Sequence, residues 1–249
     1  MNTLIFEEHE SHAQLQLNRP EHRNVISLEM VEELHAVCAE LELNPRTLII
    51  KGVLSESGPI FAAGVDIAQL RERRNVDALR GINSGIFRRI TALPMPVIAA
   101  VDGYAIGGGA ELAFAADFRL ATPRSKLGNP ETGLGIAAAA GGMWRLLELV
   151  GEPIAKEILL AGRMLTAQEA FEIHLFNSLH EPEQLIPAAV ELADKIGKLD
   201  PLATQLTKKV MHAPRSAHPL VDELAQAVLF ESPEKFARMD AFLNRNKNK

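Results

Sequence analysis

The stretch GYAIGGGAELAFAAD, residues 103–117, constrains this chain more than any other. It is almost wholly apolar, yet three adjacent glycines, Gly107, Gly108 and Gly109, interrupt it and one carboxylate, Glu111, follows. Glycine costs backbone entropy and is a poor helix former, so stability alone does not favour such a run. It is kept where a backbone must approach something closely. The β-rich segment PVIAAVDGYAI enters the run and the helical pattern ELAFAAD leaves it, which predicts a strand ending at the glycines and a helix starting there. At such a start the N–H groups are unpaired and the macrodipole is positive, so negative charge is favoured.

The surroundings read as α/β. TLIFEE and AQLQLNR form a candidate hairpin, and Ser27 precedes LEMVEELHAVCAELEL, whose apolar residues recur at three- and four-residue spacing. TLIIKGV and PVIAAVDGYAI flank a helical stretch around DALRGINSGIFRRITAL, which predicts βα crossovers and one buried, mainly parallel sheet; RLAT is a further short strand. From about residue 140 the signals are helical. Thr166 and Glu169 fit a capping box before EAFEIHLF, and apolar periodicity continues through EQLIPAAVELADKIGKL, PLATQLTKKVM and PLVDELAQAVLF.

Several chemistries fail at the motif. A Walker loop needs Gly-Lys-Ser/Thr where this run has Ala110 and Glu111, and the spacing does not supply a dinucleotide fingerprint. GINSG, residues 81–85, imitates a serine elbow, but Ser84 stands at the wrong position in a helical context. His9 and His12 make no metal pattern and read as solvated surface histidines, so no metal site is expected. Cys38, the single cysteine, sits in an apolar helix pattern as a buried thiol compatible with a reducing compartment. With 26 basic and 32 acidic residues the net charge is −6, which disfavours nucleic acid as a partner. The start lacks a basic region followed by an apolar run, and no uncharged apolar stretch reaches about 18 residues, so the expectation is a soluble, cytoplasmic protein without a membrane partner.

The glycine-led helix start offers half of an oxyanion hole. A second N–H could come from GPIFAAGVDIAQL, residues 58–70, where the small turn Ala62-Ala63-Gly64 precedes a helical pattern that starts near Asp66; such a turn also serves plain packing.

FAAGVDI, PVIAAVDGYAIGGGAELAFAAD and LGNPETGLG, in this order, resemble the crotonase family, the enoyl-CoA hydratase/isomerase group. The resemblance runs from NRPEHRNVIS at residues 18–27 through AGRMLTAQEA at 161–170, with only a helical pattern in common beyond it. It implies a crotonase-like spiral of ββα units over residues 1–195 and a helical trimerisation region over 196–249, in a homotrimer or homohexamer. It implies an acyl-CoA thioester as substrate, with coenzyme A part of that substrate and no separate cofactor.

By the same resemblance, the oxyanion donors are the N–H groups of Ala63 and Gly108, and the glycines admit the thioester oxygen. Glu111 and Glu131 match the two catalytic glutamates of the hydratase branch, Glu111 activating water and Glu131 giving a proton to Cα. Without it, each carboxylate is a helix-start or loop residue. Arg23, Ala62, Asp66, Ile67, Gly107 and Ala139 are the implied substrate-binding positions, and Arg19, His22 and Arg23 match the CoA-binding loop. The chain departs from the hydratases at Ala138 and Ala139, which stand where Pro and Gly are usual, so the following helix start is expected to be rearranged. Met143 and Trp144 replace smaller or polar residues and either reshape the acyl end or fill core. The implied activity is enoyl-CoA hydration; isomerisation, another enolate-forming reaction, or acyl-CoA binding without catalysis are the alternatives.

Overall fold

Alternation of apolar and polar residues sets the first hairpin. β1 (Leu4–Glu8) and β2 (His12–Leu17) pair antiparallel with Leu4 opposite Leu17, and β2 buries Ala13, Leu15 and Leu17. The computed structural model describes residues 1–56 and 58–247. Ser27 caps α1 (Leu28–Leu43) by accepting the Met30 N–H, and the helical spacing buries Val31, Leu34, Cys38 and Leu41 together. Burial pushes the Cys38 thiol up to about 12, which leaves it an inert apolar side chain.

The chain then repeats one move. β3 (Thr47–Lys51) enters one sheet, β4 (Val53–Ser55) and β5 (Gly58–Ala62) enter a second, and α2 (Ile67–Glu72), α3 (Asn75–Arg80) and α4 (Ile82–Thr91) lead back. β6 (Val97–Val101), β7 (Tyr104–Ile106) and α5 (Gly108–Ala115) repeat it, followed by β8 (Phe118–Ala121), β9 (Lys126–Gly128) and α6 (Leu147–Ala161). Then come β10 (Leu165–Thr166), α7 (Ala167–Glu172), β11 (Ser178–Leu179) and α8 (Pro182–Gly197). The sheet orders are β1-β2-β3-β6-β8-β11 and β10-β9-β7-β5-β4. The turns through β6 and β7 and through β8 and β9 each add one parallel strand to each sheet, which makes a spiral of ββα units, and β10 closes the second sheet antiparallel to β9.

Two sheets replace the single sheet read from the sequence. The second escapes notice because its strands are only two to five residues long, too short for a period to register. In the first sheet, period two sends alternate residues to opposite faces. Leu48, Ile50, Val97, Ala99 and Val101 join the main core with Phe61, Phe87 and Phe114, whereas Ile49, Ile98, Ala100 and Leu120 pack on Leu185, Ala189 and Ala193 of α8. Thr166 and Glu169 form the reciprocal capping box of α7.

One histidine departs from expectation. His9 is exposed, but His12 is buried, because β2 lies between β1 and β3; it stacks on His9 and meets Ser11 Oγ and Gln14 Nε2 through its ring nitrogens. Burial, with the neighbouring His9, holds it below the usual imidazole pKa.

The chain divides into two compact units, Met1–Ile196 and the segment from Gly197 onward. The second contains α9 (Pro201–Met211), capped by Asp200, α10 (Leu220–Phe230) and α11 (Pro233–Lys247). Leu220, Leu224, Val228, Phe230, Phe236, Met239 and Phe242 are each at least half exposed.

Candidate active site

β7 delivers the glycine run to the site. Gly107 turns the chain with φ +52°, and α5 begins at Gly108 without a side-chain cap. A Cβ on Gly107 would stand 2.9 Å from Glu131 Oε1, one on Gly108 2.6 Å from Val65 Cγ2, and one on Gly109 2.2 Å from the Ala62 carbonyl oxygen. The run is thus demanded by the protein's own packing against β5 and Glu131. This packing role stands beside the expectation that the glycines admit a ligand oxygen. As the first helical residue, Gly108 has an N–H with no intrahelical acceptor, and it lines a cavity of about 530 Å³.

Ala63 lines the same cavity, but its N–H donates to the Arg23 carbonyl at 3.1 Å. Arg23 and Asn24 both adopt left-handed backbone, and the buried Asn24 side chain pins their loop to β5 by donating to the Ile60 and Phe61 carbonyls. That turn aims the Arg23 carbonyl at Ala63. Of the two expected oxyanion donors, Ala63 is therefore engaged within the protein, and a ligand oxygen must share or displace that bond.

Glu111, in the first turn of α5, is 4% exposed, and its Oε1 accepts the Ala140 and Gly142 N–H groups at 2.8 and 3.0 Å. Burial pushes its pKa up to about 7, with the charge of Glu131 adding to the rise and the backbone donors opposing it. The Ala138-Ala139 departure bears on these donors. The Ala138 methyl is buried where a Cβ on Gly142 would meet it at 2.6 Å, Gly141 takes φ +147°, and a π-helical turn follows over Gly142–Leu146. The helix start directs its free N–H groups onto Glu111.

Glu131 opens a short 3-10 turn after Pro130 and is 8% exposed. Asn129 Nδ2 reaches both its Oε1, at 3.4 Å, and the Gly107 carbonyl, at 3.3 Å, tying the two segments together. Glu131 Oε2 has no hydrogen-bond partner, and burial raises the carboxyl above its usual range. Two buried carboxylates in one cavity titrate as a pair. Hydrogen bonding decides where a single proton sits: two N–H donors favour the anion at Glu111, whereas the bare Oε2 of Glu131 is best tolerated as a neutral acid. With the proton there, the charge that helps raise Glu111 is gone. Such a pair can take a proton at one carboxylate and give one at the other.

The remaining sequence candidates separate. Ile67, Gly107 and Ala139 line the cavity. Ala62 is fully buried behind it and packs on Gly109; Asp66 is the N-cap of α2, accepting the Ala68 and Gln69 N–H groups; the Arg23 side chain is exposed and outside the lining. Met143 and Trp144 are 53% and 45% exposed and outside the lining too, so they neither fill core nor shape this cavity. Sequence reading missed the oriented Asn129, whose signal was its place two residues before Glu131, and the lining residues Arg73 and Asn83, for which no local signal exists.

The family model described as enoyl-CoA hydratase/isomerase matches residues 7–248. The chain is 36% identical to the short-chain-enoyl-CoA hydratase of Clostridium acetobutylicum, over 85% of this chain and 82% of that one. It is 35% identical to the crotonyl-CoA hydratase of Syntrophomonas wolfei, over 98% and 96%. Its structure resembles the crystal structure of an enoyl-CoA hydratase from Bacillus anthracis with a TM-score of 0.88 at 29% identity, covering 98% and 96% of the two chains. The ββα spiral is thus the crotonase fold, and the chain belongs to the enoyl-CoA hydratase/isomerase family.

Proposed function

We propose that the protein is an enoyl-CoA hydratase, a lyase that adds water reversibly across the 2,3 double bond of an enoyl-CoA thioester. The observation that carries this reading is the pair of buried carboxylates in one cavity, Glu111 held by two N–H groups and Glu131 with one bare oxygen. Hydration needs a base for water and an acid for Cα, and these environments suit Glu111 to the first role and Glu131 to the second. The enolate oxygen lies at the Gly108 N–H, joined by Ala63 once the Arg23 carbonyl yields. Coenzyme A enters as part of the substrate, and the mechanism uses no other cofactor.

The relatives named above support a short acyl chain. In the second unit, the exposed apolar side chains of α10 and α11 support burial between subunits, in a trimer or hexamer. No helix among the described residues is long and apolar enough to cross a membrane.

The test follows loss of the conjugated absorbance of a four-carbon 2-enoyl-CoA and identifies the product. Wild type should form the 3-hydroxyacyl ester. Glu131→Gln should lose proton exchange at Cα while binding the ester within a few-fold of wild type. Wild-type turnover in Glu131→Gln would refute the assigned acid, and a shifted double bond as the only product would select isomerisation instead.

A further inference from the structure

Gly107 and Gly108 share one peptide bond, and both of its polar edges serve the site. The bond is trans, so the Gly107 carbonyl and the Gly108 N–H lie in one plane and point opposite ways. With glycine on either side, no Cβ resists rotation of that plane. The carbonyl is held by two donors instead: the Glu111 N–H at 3.0 Å, in the first turn of α5, and Asn129 Nδ2 at 3.3 Å. The same amide nitrogen reaches Glu131 Oε1 at 3.4 Å. A carbonyl only accepts, so the nitrogen of Asn129 must face it and Oδ1 turns away. Asn129 is 1% exposed, and its Oδ1 has no hydrogen-bond partner among the described residues. A buried amide oxygen without a donor is costly, and an apolar side chain of the same shape avoids that cost. Strand register does not need the amide either, because β7 and β9 already pair with Ile106 opposite Gly128, and the Gly107 N–H donates to the Gly128 carbonyl at 2.8 Å. Fold stability alone therefore does not account for Asn129.

We propose that Asn129 is a positioning residue for hydration: with one amide nitrogen it aims the Gly108 N–H at the enolate oxygen and seats Glu131, the acid. The proposal rests on the hydratase reading, which gives Gly108 and Glu131 those roles. Pinning the Gly107 carbonyl fixes the opposite edge of the peptide, and hydrogen bonds to that oxygen polarise the amide, which makes the N–H a stronger donor. Oxyanion stabilisation depends on donors that are set before charge develops. At Glu131, a donor on Oε1 steadies the anion that burial disfavours, so the carboxyl can part with its proton and keep its place. Asn129 does not line the cavity, so it acts through these two groups and not on the substrate. At 3.3 and 3.4 Å, one nitrogen shared between two acceptors supplies alignment more than binding energy.

The test compares wild type, Asn129→Leu and Asn129→Asp. Hydration of a four-carbon 2-enoyl-CoA gives kcat and KM across pH, and infrared difference spectra of the bound saturated ester, isotope-labelled at its thioester carbonyl, report the oxyanion donors directly. In wild type the bound carbonyl should absorb at lower frequency than in the free ester, because the donors polarise it. Asn129→Leu keeps the volume and removes the donor. Its kcat should fall roughly ten- to hundredfold, less than the loss of a whole oxyanion donor, with KM within a few-fold of wild type and a smaller carbonyl shift. The alkaline limb of kcat, where the carboxylate pair loses its last proton, should move to higher pH, since the anion at Glu131 has lost its donor. Asn129→Asp sets a third carboxylate against the Gly107 carbonyl and Glu131, so it should lose more kcat than Asn129→Leu and regain part of it as pH falls and the new carboxyl becomes a donor. An unmoved carbonyl band or an unmoved alkaline limb in Asn129→Leu overturns the proposal, as does a loss confined to KM. The band is read on bound ester, so a drop in stability does not imitate the expected result. If wild type shifts the band of the saturated ester yet hydrates no enoyl ester, the hydratase reading fails, while the band in Asn129→Leu still decides whether Asn129 aims the Gly108 N–H.

Discussion

Replacing Glu111 with glutamine should make the protein more stable and less active in one step. The glutamine carbonyl can still accept the Ala140 and Gly142 N–H groups that now reach Oε1, so the local fold has no reason to move. What changes is the buried charge. In the folded chain burial raises the Glu111 pKa from 4.5 to about 7 and raises Glu131 beside it, so between those values the folded pair holds a proton, shared with Glu131, that the unfolded state has released. Stability therefore falls as pH rises through this window, and above pH 7 the full loss, about 3 kcal/mol, applies. Glutamine has no such loss. At about 2–4 °C per kcal/mol for a domain of this size, Glu111→Gln should melt up to roughly 10 °C above wild type at pH 8, with the gap closing towards pH 4.5. Hydratase activity should fall by about 10²- to 10⁴-fold, the contribution of one positioned acid or base. Circular dichroism melts across that pH range, beside turnover measurements, provide the assay. A variant that melts below wild type at pH 8, or a gap independent of pH, would refute the assignment of Glu111 as a buried, destabilising carboxylate.

Glu111→Gln and Glu131→Gln should each abolish most hydration, and the double variant should lose little more, because groups acting as a unit are not additive; multiplied losses would contradict a concerted pair. Gly109→Ala places a Cβ 2.2 Å from the Ala62 carbonyl oxygen and should cost about 1–3 kcal/mol or more, read by urea denaturation. Ser27→Ala removes the acceptor of the Met30 N–H at the start of α1 and should cost about 1 kcal/mol while sparing turnover. Light scattering at micromolar concentration should report a trimer or hexamer, and a clean monomer would sink the assembly proposed for α10 and α11.

Local chemistry was legible in the sequence wherever a few adjacent residues settle the outcome. Ser27 before α1, Thr166 with Glu169 before α7, and the alternation in β2 each fix an element through contacts within four residues, and each forms as read. The glycine run was legible as a strand-to-helix turn because conformational preference is local, and the motifs of the resemblance pointed to both glutamates. The packing reason for the run was not legible, since the atoms that a Cβ would meet belong to Ala62, Val65 and Glu131, brought there by the pairing of β5 and β9 with β7. The same holds for the engaged Ala63 N–H, the two donors on Glu111 and the Asn129 bond to the Gly107 carbonyl. Each depends on partners 10 to 40 residues away in the chain. Burial and its effect on pKa are properties of the assembled cavity, because desolvation sums over everything packed around a group and no neighbour in sequence reports it. The sequence by itself determined which residues could do chemistry; the packing of two sheets and α5 decided which of them are charged, paired or free to meet a ligand.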